Sequence, residues 1–84
     1  MFHQTNKMIP GKVYRLKAIK GNFITIYNTG IIGSYVSEQK EIIGLYLKEI
    51  VYDNFSEFSQ FLIKNKIYDL AIPSNTILEL LQTD

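Results

Sequence analysis

Few residues in this chain could do covalent chemistry. There is one histidine, His3, and no cysteine. A serine or threonine nucleophile would need His3 as its base, and residues 1–8 read as a loose arm that cannot hold one in place. Zinc and other soft-metal sites need thiolates or clustered imidazoles, which this composition does not supply. Asp53 and Glu57 stand four apart and could share a hard cation. An acidic pair there also suits the first turn of a helix, and that second reading is taken. No phosphate-binding glycine motif occurs. The expectation is therefore of no catalytic residue, no metal site, no cofactor and no enzymatic activity.

Recognition chemistry is better supplied. Residues 12–19 alternate in polarity, as do residues 23–28, and the turn cluster Lys20-Gly21-Asn22 separates them. Gly21 can take a positive φ there at no steric cost. If the two stretches pair as a hairpin across a three-residue loop, Tyr14, Leu16, Ala18, Ile24 and Ile26 share an inner face. Arg15, Lys17, Phe23, Thr25 and Tyr27 then share the outer one. A loop one residue shorter would put Arg15 and Lys17 among the isoleucines, so the pattern selects the longer loop. The outer set mixes cations with stacking surface, as single-stranded nucleic acids prefer. It equally describes long cations lying across aromatics on an ordinary exposed sheet.

The rest of the chain is read around that hairpin. Asn28-Thr29-Gly30 makes a second turn into a third strand, with Ile32, Ser34 and Val36 on its outer side. Residues 42–52 have apolar positions at helical spacing but are mostly strand formers, and Gly44 would weaken a helix. The reading takes them as a fourth strand, paired with the third across a turn at residues 38–41. Residues 54–65 read as a helix, with Asn54 and Glu57 as a capping box and Phe55, Phe58, Phe61 and Leu62 as its stripe. Residues 67–72 read as a connector, and Ser74 as the cap of a last helix over residues 75–82. The fold class expected is α+β: a small antiparallel meander of three to four strands, which could curl towards an SH3-like or OB-like barrel, followed by two C-terminal helices. The 84 residues make one domain, with an arm at 1–8, a meander at 12–52 and a helical part at 54–82.

Composition adds a constraint on partners. Apolar and aromatic residues make up 46% of the chain and include thirteen isoleucines, bulk that so small a domain has trouble hiding. A homodimer or a heteromeric complex is expected, with Ile32, Val36, Leu78 and Leu81 as contact residues, the last two from the wide apolar arc of the final helix. The net charge of +1 hides an asymmetry: up to Ser37 there are five basic residues and no acidic one, and from Glu38 onward eight acidic and four basic. No apolar run approaches membrane-spanning length. The first residues lack the apolar core of a signal peptide, and the absence of cysteine suits a reducing compartment. A cytoplasmic protein with no membrane partner is expected.

Three local likenesses bear on function. Residues Gly11-Lys12-Val13 and the run from Ala18 to Thr25 resemble the opening strands of cold-shock domains, small barrels that stack single-stranded bases on sheet aromatics. The family's first-strand aromatic cluster is replaced here by Arg15 and Leu16, and of its second-strand aromatics only Phe23 stands. Gly30-Ile31-Ile32-Gly33 is similar in outline to the backbone-clamping loop of KH domains, with bulky isoleucines at its centre. Residues Ala71 to Leu81 look like the turn and second helix of a helix-turn-helix, but offer Glu79 and leucines where DNA would need polar and basic groups.

The leading expectation is a small non-enzymatic binding protein that occludes or regulates a macromolecular partner, in the manner of inhibitors and phage-type accessory proteins. Its partner would be a protein. One rival is a single-stranded nucleic-acid-binding module that uses the basic, aromatic face. The other is capture of a small anionic ligand, such as a nucleotide, by the same face.

Overall fold

The structure, a computed structural model, describes residues 8–30, 33–52 and 56–81. Among them are seven strands and no helix, so the fold is all-β and not α+β. The strands are β1 (Val13–Lys17), β2 (Ile24–Asn28), β3 (Tyr35–Gln39), β4 (Glu41–Val51), β5 (Glu57–Ile63), β6 (Lys66–Ala71) and β7 (Ile77–Leu80). They form one antiparallel sheet in the order β3-β2-β6-β5-β4-β1-β7.

Two of the expected pairings do not form. The turn after β1 is tight, with Asn22 N–H donating to the Ile19 carbonyl at 2.9 Å, and Gly21 takes φ 87°. Yet β2 does not fold back on β1. β1 pairs with β4 on one side and β7 on the other, while β2 pairs with β3 and β6. Nor does β4 pair with β3. Only Lys40 separates them, so the chain turns a corner and runs on into a different part of the sheet. The edge strand β3 is thus joined covalently to the interior strand β4, and the sheet must curl to allow it.

Both expected helices are strands, for visible reasons. Residues 57–63 alternate: Ser59, Phe61 and Ile63 turn to the interior, and Phe58, Gln60 and Leu62 outward. Lys64 and Asn65 both take positive φ, 50° and 68°, which makes them the two-residue turn of a hairpin that pairs Ile63 with Lys66. The helix expected over residues 54–65 would end at these two residues. Residues 67–72, read as a connector, are mostly β6. At the last element, Thr76 closes a turn on the Pro73 carbonyl through its N–H (3.1 Å) and its hydroxyl (2.7 Å). β7 then lies along β1, where Leu78 packs against the core while Ile77 stays exposed. The wide apolar arc is a strand with apolar residues on both faces. The proposed cap Asn54, its neighbours Asp53 and Phe55, the arm up to Lys7, and Ile31 and Ile32 lie outside the described residues.

One face of every strand but β3 lines a common interior. Tyr14, Leu16, Ala18, Ile24, Ile26, Ile42, Tyr46, Phe61 and Leu70 are buried there, together with Met8. The five that the alternation of residues 12–28 had grouped as an inner face are all among them. Gly44 is required by the close approach of β5: a Cβ there would stand 2.8 Å from Ile63 Cγ1 and 3.1 Å from the Leu62 carbonyl. A register shift between Tyr46 and Lys48 leaves Leu47 as the extra residue of a bulge. It turns Glu49 to the same side as Tyr46, and its carboxylate accepts hydrogen bonds from Tyr46 Oη (2.9 Å) and Ser59 Oγ (2.8 Å).

Phe61 is fully buried and packs at a tilt against Tyr46, with ring centroids 5.5 Å apart. Phe61→Ala is expected to cost about 3–5 kcal/mol, a large part of a small domain's stability, measured by denaturant unfolding.

Burial, and then the Glu49 carboxylate, push the Tyr46 hydroxyl well above its ordinary value near 10. Because the folded state holds this proton longer than the unfolded chain, its contribution to stability is complete below about pH 10 and is lost as pH rises further. Tyr46→Phe should flatten that alkaline loss of stability, read from unfolding midpoints at stepped pH.

Candidate functional site

A cleft of about 520 Å³ lies beside β3. Its origin is a mismatch of strand lengths. β4 begins at Glu41 and pairs with β1 from that residue on, but its first β5 partner is Leu62, opposite Leu45. The β5–β6 turn follows at once. The β5 side of residues 41–43 therefore has no strand partner, and neither does the side of β3 away from β2. The two stretches form one free edge, bent at Lys40, and the cleft lies between it and the β5–β6 hairpin.

Its floor is the interior of the sheet, Ile26 and Ile42, with Ile63 and Tyr68 on the hairpin side. Val36, Gln39, Glu41 and Ile43 line the edge side. Val36 reaches it because β3 bulges against β2: Ser37 pairs with Ile26 and Tyr35 with Tyr27, which leaves Val36 as the extra residue. Two charges stand at the rim. Glu41 Oε2 lies 3.2 Å from Arg15 Nε, so it already has an ion-pair partner. Lys64 has no ion pair or hydrogen bond among the described residues. This mostly apolar hollow with a few polar groups at its mouth is of the size and composition that ligands occupy.

The residues expected to form a binding face are dispersed. Arg15 and Lys17 sit on β1, and Thr25 and Tyr27 on β2, with β4, β5 and β6 between those strands. Arg15 is held by two carboxylates, Glu41 and Glu79 at 3.0 Å. Lys17 lies opposite Glu41 in β4. Phe23 is capped by Lys40, whose Nζ is 4.6 Å from the ring centre and donates to the Asn22 carbonyl at 2.9 Å. Thr25 lies between Glu38 of β3 and Ala71 of β6. Tyr27 packs edge-on against Tyr35 and Phe58. The basic half of the sequence is thus interleaved with the acidic half. Of the expected contact residues, Val36 lines the cleft, Leu78 packs against the core, and Leu81 is half-buried with its N–H donating to the Val13 carbonyl; Ile32 lies outside the described residues.

A second polar cluster went unread in the sequence. Asp69 points to the outer face of β6 yet is 1% exposed, roofed by Tyr27, Tyr52 and Phe58. Tyr52 Oη donates to Asp69 Oδ2 and accepts from the Gly30 N–H at 3.0 Å. Gln60 Nε2 donates to Asp69 Oδ1 (3.3 Å) and to Thr29 Oγ1 (3.0 Å). The carboxylate so ties the β2–β3 turn to β4, β5 and β6. The available signal was an acid inside the strand-forming run 67–71, where burial demands donors. For the cleft, the signal was Lys64-Asn65 between two apolar runs, a two-residue hairpin turn.

Comparison with protein-family models, with curated proteins and with solved structures finds no match. No helix among the described residues is long and apolar enough to cross a membrane.

Tyr52→Phe keeps the ring and removes one donor from a buried carboxylate. It should lower stability by about 1–3 kcal/mol in denaturant unfolding.

Proposed function

We propose that the chain is a non-enzymatic binding protein that engages a protein partner through the cleft and the free edge beside it. The observation that carries this reading is the apolar cleft flanked by unpaired strand backbone over residues 35–39 and 41–43. Exposed Tyr35 and Val36 add apolar surface at the same place. Main-chain donors and acceptors in a row provide affinity for another polypeptide, and an adjoining hollow provides selectivity for side chains. By covering this place the partner would complete a sheet that the chain leaves short. Occlusion or regulation of that partner is the role this suits.

The engagement of the two cations at the Lys40 corner and β1 favours a protein over a nucleic acid at this edge. A nucleic-acid surface needs cations free to meet phosphates. Here Arg15 is spent on Glu41 and Glu79, and Lys40 on Phe23 and the turn at Asn22. Apolar surface for a second copy lies elsewhere than on Leu78. Leu78 is used by the core, and the exposed apolar residues of β7 are Ile77 and Leu80.

Val36 is 42% exposed, so Val36→Asp should fold with an unchanged melting temperature. Affinity capture from the native host, with nuclease treatment in parallel, should retain a protein partner that survives nuclease. Val36→Asp should weaken that complex about tenfold or more. Capture that disappears with nuclease and ignores Val36→Asp would overturn the reading in favour of nucleic acid.

A further inference from the structure

Resting on that reading, we infer that the occupant of the cleft is an extended segment of the partner. It adds as a strand antiparallel to β3, with large aliphatic side chains facing inward and an acidic residue near its N-terminal end.

The direction follows from the sheet. Every pairing in it is antiparallel, and β5 ends just where the free edge of β4 begins. A strand filling the gap would prolong the line of β5, starting beside Ile43 and ending beside Tyr35. Its backbone would meet the unpaired groups of residues 35–43, which no other strand reaches. Side chains alternate in such a strand, so every second one would point at Ile26, Ile42, Ile63 and Tyr68. These walls are apolar, which selects valine, leucine or isoleucine at the inward positions.

Charge fixes the remaining feature. The acid at the rim, Glu41, already faces Arg15, whereas the cation at the rim, Lys64, has no partner among the described residues. Lys64 belongs to the β5–β6 turn, beside the place where the added strand starts. Lys66, the next cation, lies over the Tyr68 ring at 5.6 Å and adds positive potential on the same side. An acidic residue at the start of the segment is complementary to this end, and a basic one is repelled.

Three blocked decapeptides of alternating valine and threonine test the inference, added to isotope-labelled protein and followed by amide chemical shifts. The first begins with two aspartates, the second with two lysines. The third copies the first but carries N-methyl groups on alternate amides. The first should shift the amides of residues 35–43, and bind about threefold tighter than the second, the scale of an exposed ion pair. Lys64→Glu should invert the order of these two, and N-methylation should abolish binding. If both charged peptides bind at residues 35–43 equally, or the methylated one binds as well as its parent, the inference fails while the proposed function stands. If no peptide moves these amides at millimolar concentration, both fail. Concentration-dependent sedimentation of the free protein, with residues 35–39 protected from exchange, would assign the edge to a second copy and overturn the inference.

Discussion

The corner at Lys40 is the constraint on which the rest of this fold depends. A one-residue connection cannot return a strand beside its predecessor, so β3 must continue into β4 at an angle. Because β3 lies at one end of the sheet and β4 in its middle, the sheet has to curl until the two meet. The corner is fixed by three contacts from one residue. Its carbonyl accepts the Ala18 N–H at 2.7 Å, and its ammonium reaches both the Asn22 carbonyl and the Phe23 ring. Curling places one face of the six strands other than β3 around a shared interior, which is how a short chain buries ten apolar side chains without a second layer. It also opens the cleft, since β3 is carried past the end of the β5–β6 hairpin.

Asp69 complements the corner from the other face. Burying a carboxylate is costly unless hydrogen bonds replace its water. Tyr52 and Gln60 do so while also holding Gly30 and Thr29. The cluster ties together four segments that are distant in sequence, and an apolar residue of the same volume would not specify that arrangement. Tyr27, Phe58 and Tyr52 pack ring against ring over this cluster.

Residues 12–28 carried their inner face legibly, because strict alternation has one meaning. The partners of those strands were not legible. Pairing of β1 with β4 and β7, and of β2 with β6, is long-range, and the nearest strand in sequence was the natural first choice. Residues 42–52 illustrate a different difficulty. The bulge at Leu47 shifts the alternation by one, so that buried Tyr46 and inward-turned Glu49 stand three apart, and a bulged strand then mimics helical spacing. Phe58, Phe61 and Leu62 likewise fit a helical stripe, although they serve two faces of β5, Phe61 inside and the others outside. Their aromatic and β-branched neighbours, and the paired positive φ of Lys64 and Asn65, settle the matter for a hairpin. The cleft was legible in only one residue, Val36, since the others converge through the corner and the early end of β5.

An open edge invites indiscriminate pairing, and the two ends of this sheet resist it differently. β7 is only four residues long, and its Glu79 is tied to Arg15 of the neighbouring strand. β3 carries Glu38 outward, is bent at Val36 by its bulge, and ends at the Lys40 corner. A flat, regular strand laid along β3 would meet that bend before it formed many hydrogen bonds. A segment able to follow the edge from Ile43 to Tyr35 must bend with it, and the apolar floor of the cleft is what can compensate the bending. If a partner strand adds here as proposed, selectivity comes from shape first, with the Lys64 charge deciding among segments that already fit. The interleaving of Arg15 and Lys17 with Glu41 and Glu79 acts in the same direction. It breaks up the positive charge of β1, and on the proposed reading it leaves the cleft, where free backbone, apolar floor and Lys64 coincide, as the place of recognition.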